Sequence, residues 1–472
     1  MKRIRIVAGI CFFILLMVPV FLFNREENVV SRIDNRALTN NPFGSNFEAE
    51  GEVDLTDTIE TYIQDRIGLR DEMIQGYTVL NDRLFHEMVH PTYMYGKDGY
   101  VFKKAELNRD FDEYHMSFAD MVEKIQKYCE EREVPFLFVF EPSKNSLLSD
   151  QLPDGINYNN EWVVQFEEEL DKRGIHYIDN TELLREKYDQ GEMVFNKQYD
   201  AGHWNDLGAF YGVNHLLEAM KQDVPEVHIN EMEEFDIGQI LRTSLPVSNF
   251  AIHENVPYFT GKDEVEERTE KYDEELERDE RYTHFGYTVN EQRLLEGSPK
   301  TLVFQGSYMN EIGSKFLENS LGEYIAVHDY QNVMNIDYYF NIFKPDYVIF
   351  EVAEYVFTDE YFFSPAMKEM DLNPAIDMWE EKEAEIKPIG ELNVSVKEGS
   401  RLASVEVENL PADTKYAYLV SDGEVFDLRK REEDMDDQGN MVYEAAMEKE
   451  KCESGSFTVT AVDDKLRAVR YE

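Results

Sequence analysis

The chain has 472 residues, too many for one ordinary domain. Its 42% hydrophobic content, with 30 Phe and 28 Tyr, supports a large core and excludes global disorder. A formal charge of −50, from 97 acidic against 47 basic residues, repels phosphate backbones and excludes nucleic acid as a partner.

The N-terminus reads "MKRIR" and then an uncharged apolar run from Ile6 to Phe23. At about 1.5 Å per residue such a run just crosses a hydrocarbon core of roughly 30 Å. Lys2, Arg3 and Arg5 before it keep the five-residue tail cytoplasmic, so a single-pass anchor at 6–23 sends the bulk of the chain outside the cell membrane. A cleaved signal peptide is the competing reading, but "FLFNREE" offers no small-residue cleavage site.

Residues 24–90 read as a polar stalk followed by helix. Ile59, Ile63, Ile67, Met73, Ile74 and Tyr77 recur at helical spacing, interrupted near Gly68. From 91 to 385 short apolar strands alternate with amphipathic helices. The strands are "YVF", "PFLFVFE", "HYID", "TLVFQ", "YIAVH" and "DYVIFEV". The helices lie near 110–132, 160–173, 206–220, 309–320 and 335–343. This alternation predicts a mainly parallel α/β sheet covered on both faces. An insert at 229–298 interrupts it and contains the charged run "KDEVEERTEKYDEELERDERY", which the i,i+4 charge pairs predict to be a solvated helix. Residues 386–472 alternate apolar and polar residues between turns, as in a small β-sandwich.

Two motifs carry candidate chemistry. In "YDAGHWNDLGAF" (199–210), Asp200 stands three residues before His203, so its carboxylate can hold the imidazole Nδ1–H and leave Nε2 as a base. The bland alternative is a histidine packed at the entrance of a helix capped by Asn205. In "LVFQGSYMN" (302–310), a buried strand runs into Gly306 and Ser307 and then a helix, a turn that exposes a serine Oγ beside backbone N–H groups. Here the bland alternative is a helix-capping serine. Both motifs fall beyond the carboxyl ends of predicted strands, where α/β sheets place ligands. "EPSKNS" puts Lys144 at the same edge, as a contact for an anionic group or solvent. No P-loop, G-x-G-x-x-G, HExxH or Cys/His cluster is present, so no metal or organic cofactor is expected. Cys129 and Cys452 form either one disulfide or two free thiols.

Seven stretches in order resemble the extracytoplasmic SGNH-hydrolase-like proteins of the DHHW and AlgX/AlgJ type, which act in O-acetylation of bacterial exopolysaccharides. They are "DNRALTNNPF" (34–43), "YIQDRIGLRD" (62–71), "YGKDGYVF" (95–102), "FVFEPSKNSLLSDQLP" (138–153), "YDAGHWNDLGAFYG" (199–212), "VFQGSYMN" (303–310) and "KPDYVIFEVAEYVF" (344–357). The resemblance implies an SGNH-hydrolase-like, flavodoxin-like α/β fold. It also implies an O-acetyltransferase with Ser307 as nucleophile, His203 as base and Asp200 as orienting acid. Asn310 is the candidate oxyanion donor beside Ser307; Gly306, Trp204 and Lys144 complete the candidate substrate and oxyanion set. The implied partners are a polysaccharide substrate and a membrane-bound O-acyltransferase that supplies acetyl groups. The alternatives are a polysaccharide acetylesterase and an inactive polysaccharide-binding component of an export complex. The chain departs from the family pattern in three places. Asp200 and His203 are more widely spaced, Gln305-Gly306-Ser307 stands for Gly-Asp-Ser, and Glu354-Tyr355 stands for Glu-Arg.

Overall fold

The computed structural model describes the chain except residues 1, 32, 34–36, 45–54, 105–108, 157, 247–249, 263, 381–383, 436–440 and 453–455. The first part of the "DNRALTNNPF" stretch therefore lies outside the described residues. Helix α1 (Lys2–Phe21) carries the N-terminal apolar run and includes Pro19. Among the described residues, no helix is long and apolar enough to cross a membrane. Helices α2 (Leu55–Arg66) and α3 (Arg70–Phe85) break at the predicted place, and the Gly68 N–H donates to the Pro19 carbonyl at 2.9 Å. Their apolar repeat does not turn inward as a core stripe would, because Ile63, Met73 and Tyr77 are all exposed.

Strands β1 (Tyr93–Tyr95) and β2 (Val101–Lys103) form a small hairpin. Then follow α4 (Glu113–Glu130), β3 (Phe136–Glu141), α5 (Lys144–Leu147), α6 (Glu161–Arg173), β4 (Tyr177–Asp179), α7 (Thr181–Asp189) and α8 (Asp206–Asp223). The insert supplies β5 (Phe235–Ser244) and β6 (Ala251–Gly261), a long antiparallel ribbon, and then the short β7 (Glu266–Glu267). The main pattern resumes with β8 (Phe285–Val289), α9 (Glu291–Leu295), β9 (Lys300–Gln305), α10 (Ser314–Ser320), β10 (Glu323–His328), α11 (Ile336–Phe343) and β11 (Tyr347–Ala353).

The central sheet runs β4-β3-β11-β9-β10-β8-β7. Its first five strands are parallel, and β8 and β7 extend one edge antiparallel. The central strands read as mainly apolar runs because both faces are buried. Phe138, Leu302, Phe304 and Phe350 face α4, α6 and α11; Leu137, Val139, Val303 and Ile349 face α7, α8 and α10. The crossover order sends the carboxyl ends of β3, β9 and β11 to one edge, side by side.

The predicted helix in the acidic run is not there. Residues 264–282 form strand β7, a single 3₁₀ turn at Thr269–Lys271 and further turns. Tertiary contacts outweigh the i,i+4 pairs. Tyr272 and Leu276 are buried in the main core, and the Glu275 carboxylate accepts the N–H groups of Ser400 (2.9 Å), Arg401 (3.0 Å) and Leu402 (2.8 Å). The run is thus a strap between the α/β layer and the C-terminal sheets.

Those C-terminal sheets have five and four strands over a shared core that includes Val405, Leu419, Phe426 and Val459. They dock at the amino ends of the parallel strands. The Asn341 side chain pairs with both backbone groups of Asp427, at 2.9 Å each, as a neighbouring strand would. The Asp427 carboxylate takes Arg132 at 2.8 Å and the Tyr128 hydroxyl at 2.5 Å, all three being largely buried. Removing one partner of a buried ion pair costs about 3–5 kcal/mol because the other charge stays buried. Asp427→Ala is therefore expected to destabilise this junction by about that amount. Calorimetry should show unfolding of the C-terminal sheets at a lower temperature than in the parent protein.

Cys129 and Cys452 are both free and buried, which settles the thiol alternative, and burial pushes the Cys129 thiol well above its ordinary range.

Candidate active site

Gly306 and Ser307 follow β9 directly, and Ser307 opens a helix whose next turn is a π-turn, Met309–Gly313. The first N–H groups of a helix have no intrahelical acceptor, so the Ser307 N–H points outward at the sheet edge. His203 arrives from the loop before α8. Asn205 caps that helix by accepting the N–H groups of Leu207 and Gly208, each at 3.0 Å. Asp200 sits in the left-handed region at φ 51°, which aspartate tolerates better than most residues. This turn folds its carboxylate back onto the histidine.

The structure brings the three predicted residues together. His203 Nε2 lies 2.8 Å from Ser307 Oγ, and His203 Nδ1 lies 2.6 Å from Asp200 Oδ1. Burial opposes a charge on Asp200. The adjacent imidazole and hydrogen bonds from His203 and Gly202 outweigh it, so the carboxyl stays below its ordinary pKa. An ionised Asp200 requires the proton on Nδ1, which leaves Nε2 as the acceptor for Ser307.

The candidate supporting residues divide. The Asn310 Oδ1 accepts from Gln305 Nε2 at 2.6 Å, and Gln305 Oε1 accepts the Tyr324 hydroxyl at 2.5 Å. This chain of amides turns the Asn310 Nδ2 into the donating end, as an oxyanion role needs. Three expected contacts are not available to substrate. The Gly306 N–H donates to Glu351 Oε2 at 2.8 Å. Trp204 is fully buried; its Nε1 donates to the Tyr308 carbonyl at 3.1 Å, and its ring fills a slot on α8 where a Cβ at Gly212 would stand 2.3 Å from it. Lys144 is also fully buried, donating to the carbonyls of Val101 (2.8 Å) and Lys197 (3.2 Å), and burial lowers its amine to about 7. All three hold the framework.

Sequence reasoning missed two residues of the site. The Tyr355 hydroxyl lies 2.6 Å from Ser307 Oγ and 3.2 Å from His203 Nε2. Burial holds its pKa well above the ordinary tyrosine range, so it remains an O–H donor. A single direction of hydrogen bonds satisfies every group: Tyr355 donates to Ser307, Ser307 to His203, and His203 to Asp200. The one signal was the departure at Glu354-Tyr355. Glu354 itself accepts the Ser143 N–H at 2.9 Å and the Tyr158 hydroxyl. Lys103, which had no sequence signal, places its ammonium 4.3 Å above the Tyr355 ring; desolvation lowers its pKa while Asp200 opposes that shift. Tyr355 also lines a cavity of about 20 Å³ with Arg109, Asn145 and Trp162. A larger cavity of about 790 Å³ lies at the far ends of the strands, beside Lys300 and the C-terminal sheets, away from Ser307.

Behind the Gly306 turn lie Glu351 and Asp329, both fully buried. Burial, with Asp329 adding to it, pushes Glu351 up to about 8 from an ordinary 4.5. At neutral pH the folded protein keeps this proton and the unfolded chain releases it. Between pH 4.5 and about 8 the folded state binds more protons, so this group's contribution to stability falls as pH rises. Glu351→Gln, which keeps an acceptor for the Gly306 N–H, is expected to flatten that decline. Urea unfolding at pH 6 and pH 8.5 on both proteins measures the slope.

A serine, a histidine and an aspartate joined by hydrogen bonds at the carboxyl edge of a mainly parallel sheet, with further β-sheets appended, make an SGNH-hydrolase-like α/β domain. Residues 94–326 match the family described as SGNH hydrolase-like domain, acetyltransferase AlgX. Over those residues the chain is similar to that family. No curated protein matches the chain. Among solved structures, PatB1 of Bacillus cereus with a sulfonyl adduct is 18% identical, with a TM-score of 0.44 over 57% of this chain and 99% of that one. The O-acetyltransferase domain of Pseudomonas putida AlgJ is 13% identical, with a TM-score of 0.40 over 61% and 97%. Pseudomonas aeruginosa AlgX is 12% identical, with a TM-score of 0.39 over 75% and 90%.

Proposed function

We propose that this protein is an O-acetyltransferase acting on a cell-surface or secreted polysaccharide through Ser307, His203 and Asp200. The observation that carries the reading is the continuous relay from Ser307 Oγ through His203 to Asp200, at 2.8 and 2.6 Å. The similarity to the AlgX-type family supports acetyl transfer as the chemistry.

Ser307 Oγ attacks the carbonyl carbon of an acetyl ester while His203 Nε2 takes its proton. The tetrahedral oxyanion is held by the Ser307 N–H and Asn310 Nδ2. As the intermediate collapses, the C–O bond to the donor breaks, and the imidazolium returns its proton to the departing oxygen. This leaves acetyl-Ser307 and a neutral histidine. A sugar hydroxyl then attacks the acyl carbon, losing its proton to His203, and Ser307 recovers that proton on release. Water in place of the sugar gives ester hydrolysis. Tyr355 holds the Ser307 oxygen in line with Nε2 before attack.

The run Ile6–Phe23, preceded by three cationic residues, anchors the chain in the cell membrane with its bulk outside. There a membrane-bound O-acyltransferase supplies the acetyl group. No cofactor takes part in this scheme.

Full-length protein in detergent is expected to hydrolyse p-nitrophenyl acetate, and Ser307→Ala to lose at least about 1,000-fold in kcat. Mass spectrometry should find a 42 Da acetyl adduct on Ser307 in the trapped parent, the mass of one acetyl group replacing a hydrogen. Turnover that survives Ser307→Ala, or its absence in the parent, would remove the catalytic reading. Tyr355→Phe is expected to retain the fold and lower kcat by about 10-fold to 100-fold, read in the same assay against an unchanged melting temperature.

A further inference from the structure

The loop that delivers Asp200 and His203 is held from outside the central α/β layers. Residues 197–199 present three consecutive N–H groups, and one carboxylate takes all of them. Glu254 Oε1 accepts the Lys197 N–H at 2.7 Å; Oε2 accepts those of Gln198 at 2.8 Å and Tyr199 at 2.6 Å. Glu254 lies on β6, in the ribbon inserted between α8 and β8. Arg242, on the partner strand, stacks 4.4 Å above the Tyr199 ring.

The other side of the same loop is held by its carbonyls. The Lys197 carbonyl accepts the Val101 N–H at 2.9 Å and Lys144 Nζ at 3.2 Å, and the Ala201 carbonyl accepts the Lys103 N–H at 3.3 Å. The loop is therefore gripped between a carboxylate on its donors and strand β2 with the Lys144 amine on its acceptors. Asp200, the next residue after the three donors, has the positive φ that such a grip must sustain, since a non-glycine residue is strained there. Successive N–H groups converging on one carboxylate make strong, charge-assisted bonds, and a neutral amide in its place would set an NH₂ against at least one of them.

We propose that Glu254 is a positioning residue: through it the inserted ribbon fixes the loop conformation in which Asp200 meets His203 Nδ1. This rests on the catalytic reading of the Ser307–His203–Asp200 relay. It gives the ribbon a task in acetyl transfer although, among the described residues, none of its side chains makes a hydrogen bond or ion pair with Ser307, His203 or Asp200. The loop enters α8 through Asn205, so a loosened segment at 197–199 frees Asp200 to turn while the helix stays in place.

The test compares Glu254→Gln and Glu254→Asp with the parent full-length protein in detergent, using p-nitrophenyl acetate as the probe. Glu254→Gln is expected to melt near the parent temperature and to lower kcat by about 10-fold to 100-fold at unchanged KM, as small misplacements of catalytic groups do. The low-field proton resonance of the His203 Nδ1–H, bonded to Asp200, is expected to shift or vanish. Glu254→Asp, with the charge kept, restores part of both readings. Asp236→Asn, on the same ribbon where Asp236 pairs with Lys262 at 3.6 Å, leaves both unchanged. A Glu254→Gln protein with parental kcat and a parental resonance overturns the proposal. Should that variant not fold, the same two parental readings in Glu254→Asp overturn it. The resonance separates the two readings: lack of Ser307-dependent turnover removes the catalytic role, whereas an unmoved resonance removes the role of Glu254 in holding Asp200 to His203.

Discussion

The hydrogen bond from Ser307 to His203 joins positions 104 residues apart, and most of the architecture can be understood as what keeps its two ends in register. One end is fixed by the sheet. Strand β9 lies between β11 and β10 in the middle of the parallel layer, so its carboxyl terminus cannot drift without disturbing buried ladders on both sides. The other end is fixed by a capped helix, α8, and by a loop held on both its donor and its acceptor sides. A relay built this way separates stability from reactivity. The apolar layers set where the two backbones stop, and short polar contacts set where the side chains meet.

Buried acids around that meeting point follow the same logic. Glu351 and Asp329 sit behind the Ser307 turn with no Lys or Arg partner among the described residues; His328 Nδ1 lies 3.1 Å from Asp329 Oδ1, but burial lowers that imidazole to about 4, and burial likewise keeps both acids neutral. Neutral acids can donate or accept without imposing a field on the serine. Asp200 differs from them because the imidazole faces it directly. Carboxyls within one small region are thus assigned different charges by their neighbours alone.

Much of this was legible in the sequence. "PFLFVFE", "TLVFQ" and "DYVIFEV" read as buried parallel strands because a sheet covered on two faces is lined mainly by apolar residues. The serine and histidine blocks could be paired because each ends a predicted strand or opens a predicted helix. Other features were not legible. The charged run at 262–282 mimics a helix in its spacing, yet the aromatic ring of Tyr272 and the carboxylate of Glu275 find partners far away in sequence. Trp204 was a candidate substrate contact through the family resemblance, but its ring turns away from the site and packs against Gly212 of α8. Tyr355 and Glu254 reach the site from segments 48 residues beyond the serine and 55 residues beyond Tyr199, respectively, and no local pattern reports such distances.

The two buried thiols carry a consequence for how the molecule matures. Cys129 lies within the packed side of α4 and Cys452 under the C-terminal sheets, and neither has a sulfur partner. Burial suppresses the thiolate that exchange chemistry requires. Neither domain's fold is cross-linked through these cysteines, so a chain refolded from denaturant in the presence of a reductant should reach the same relay as one refolded in air, and its assembly is independent of any oxidising catalyst.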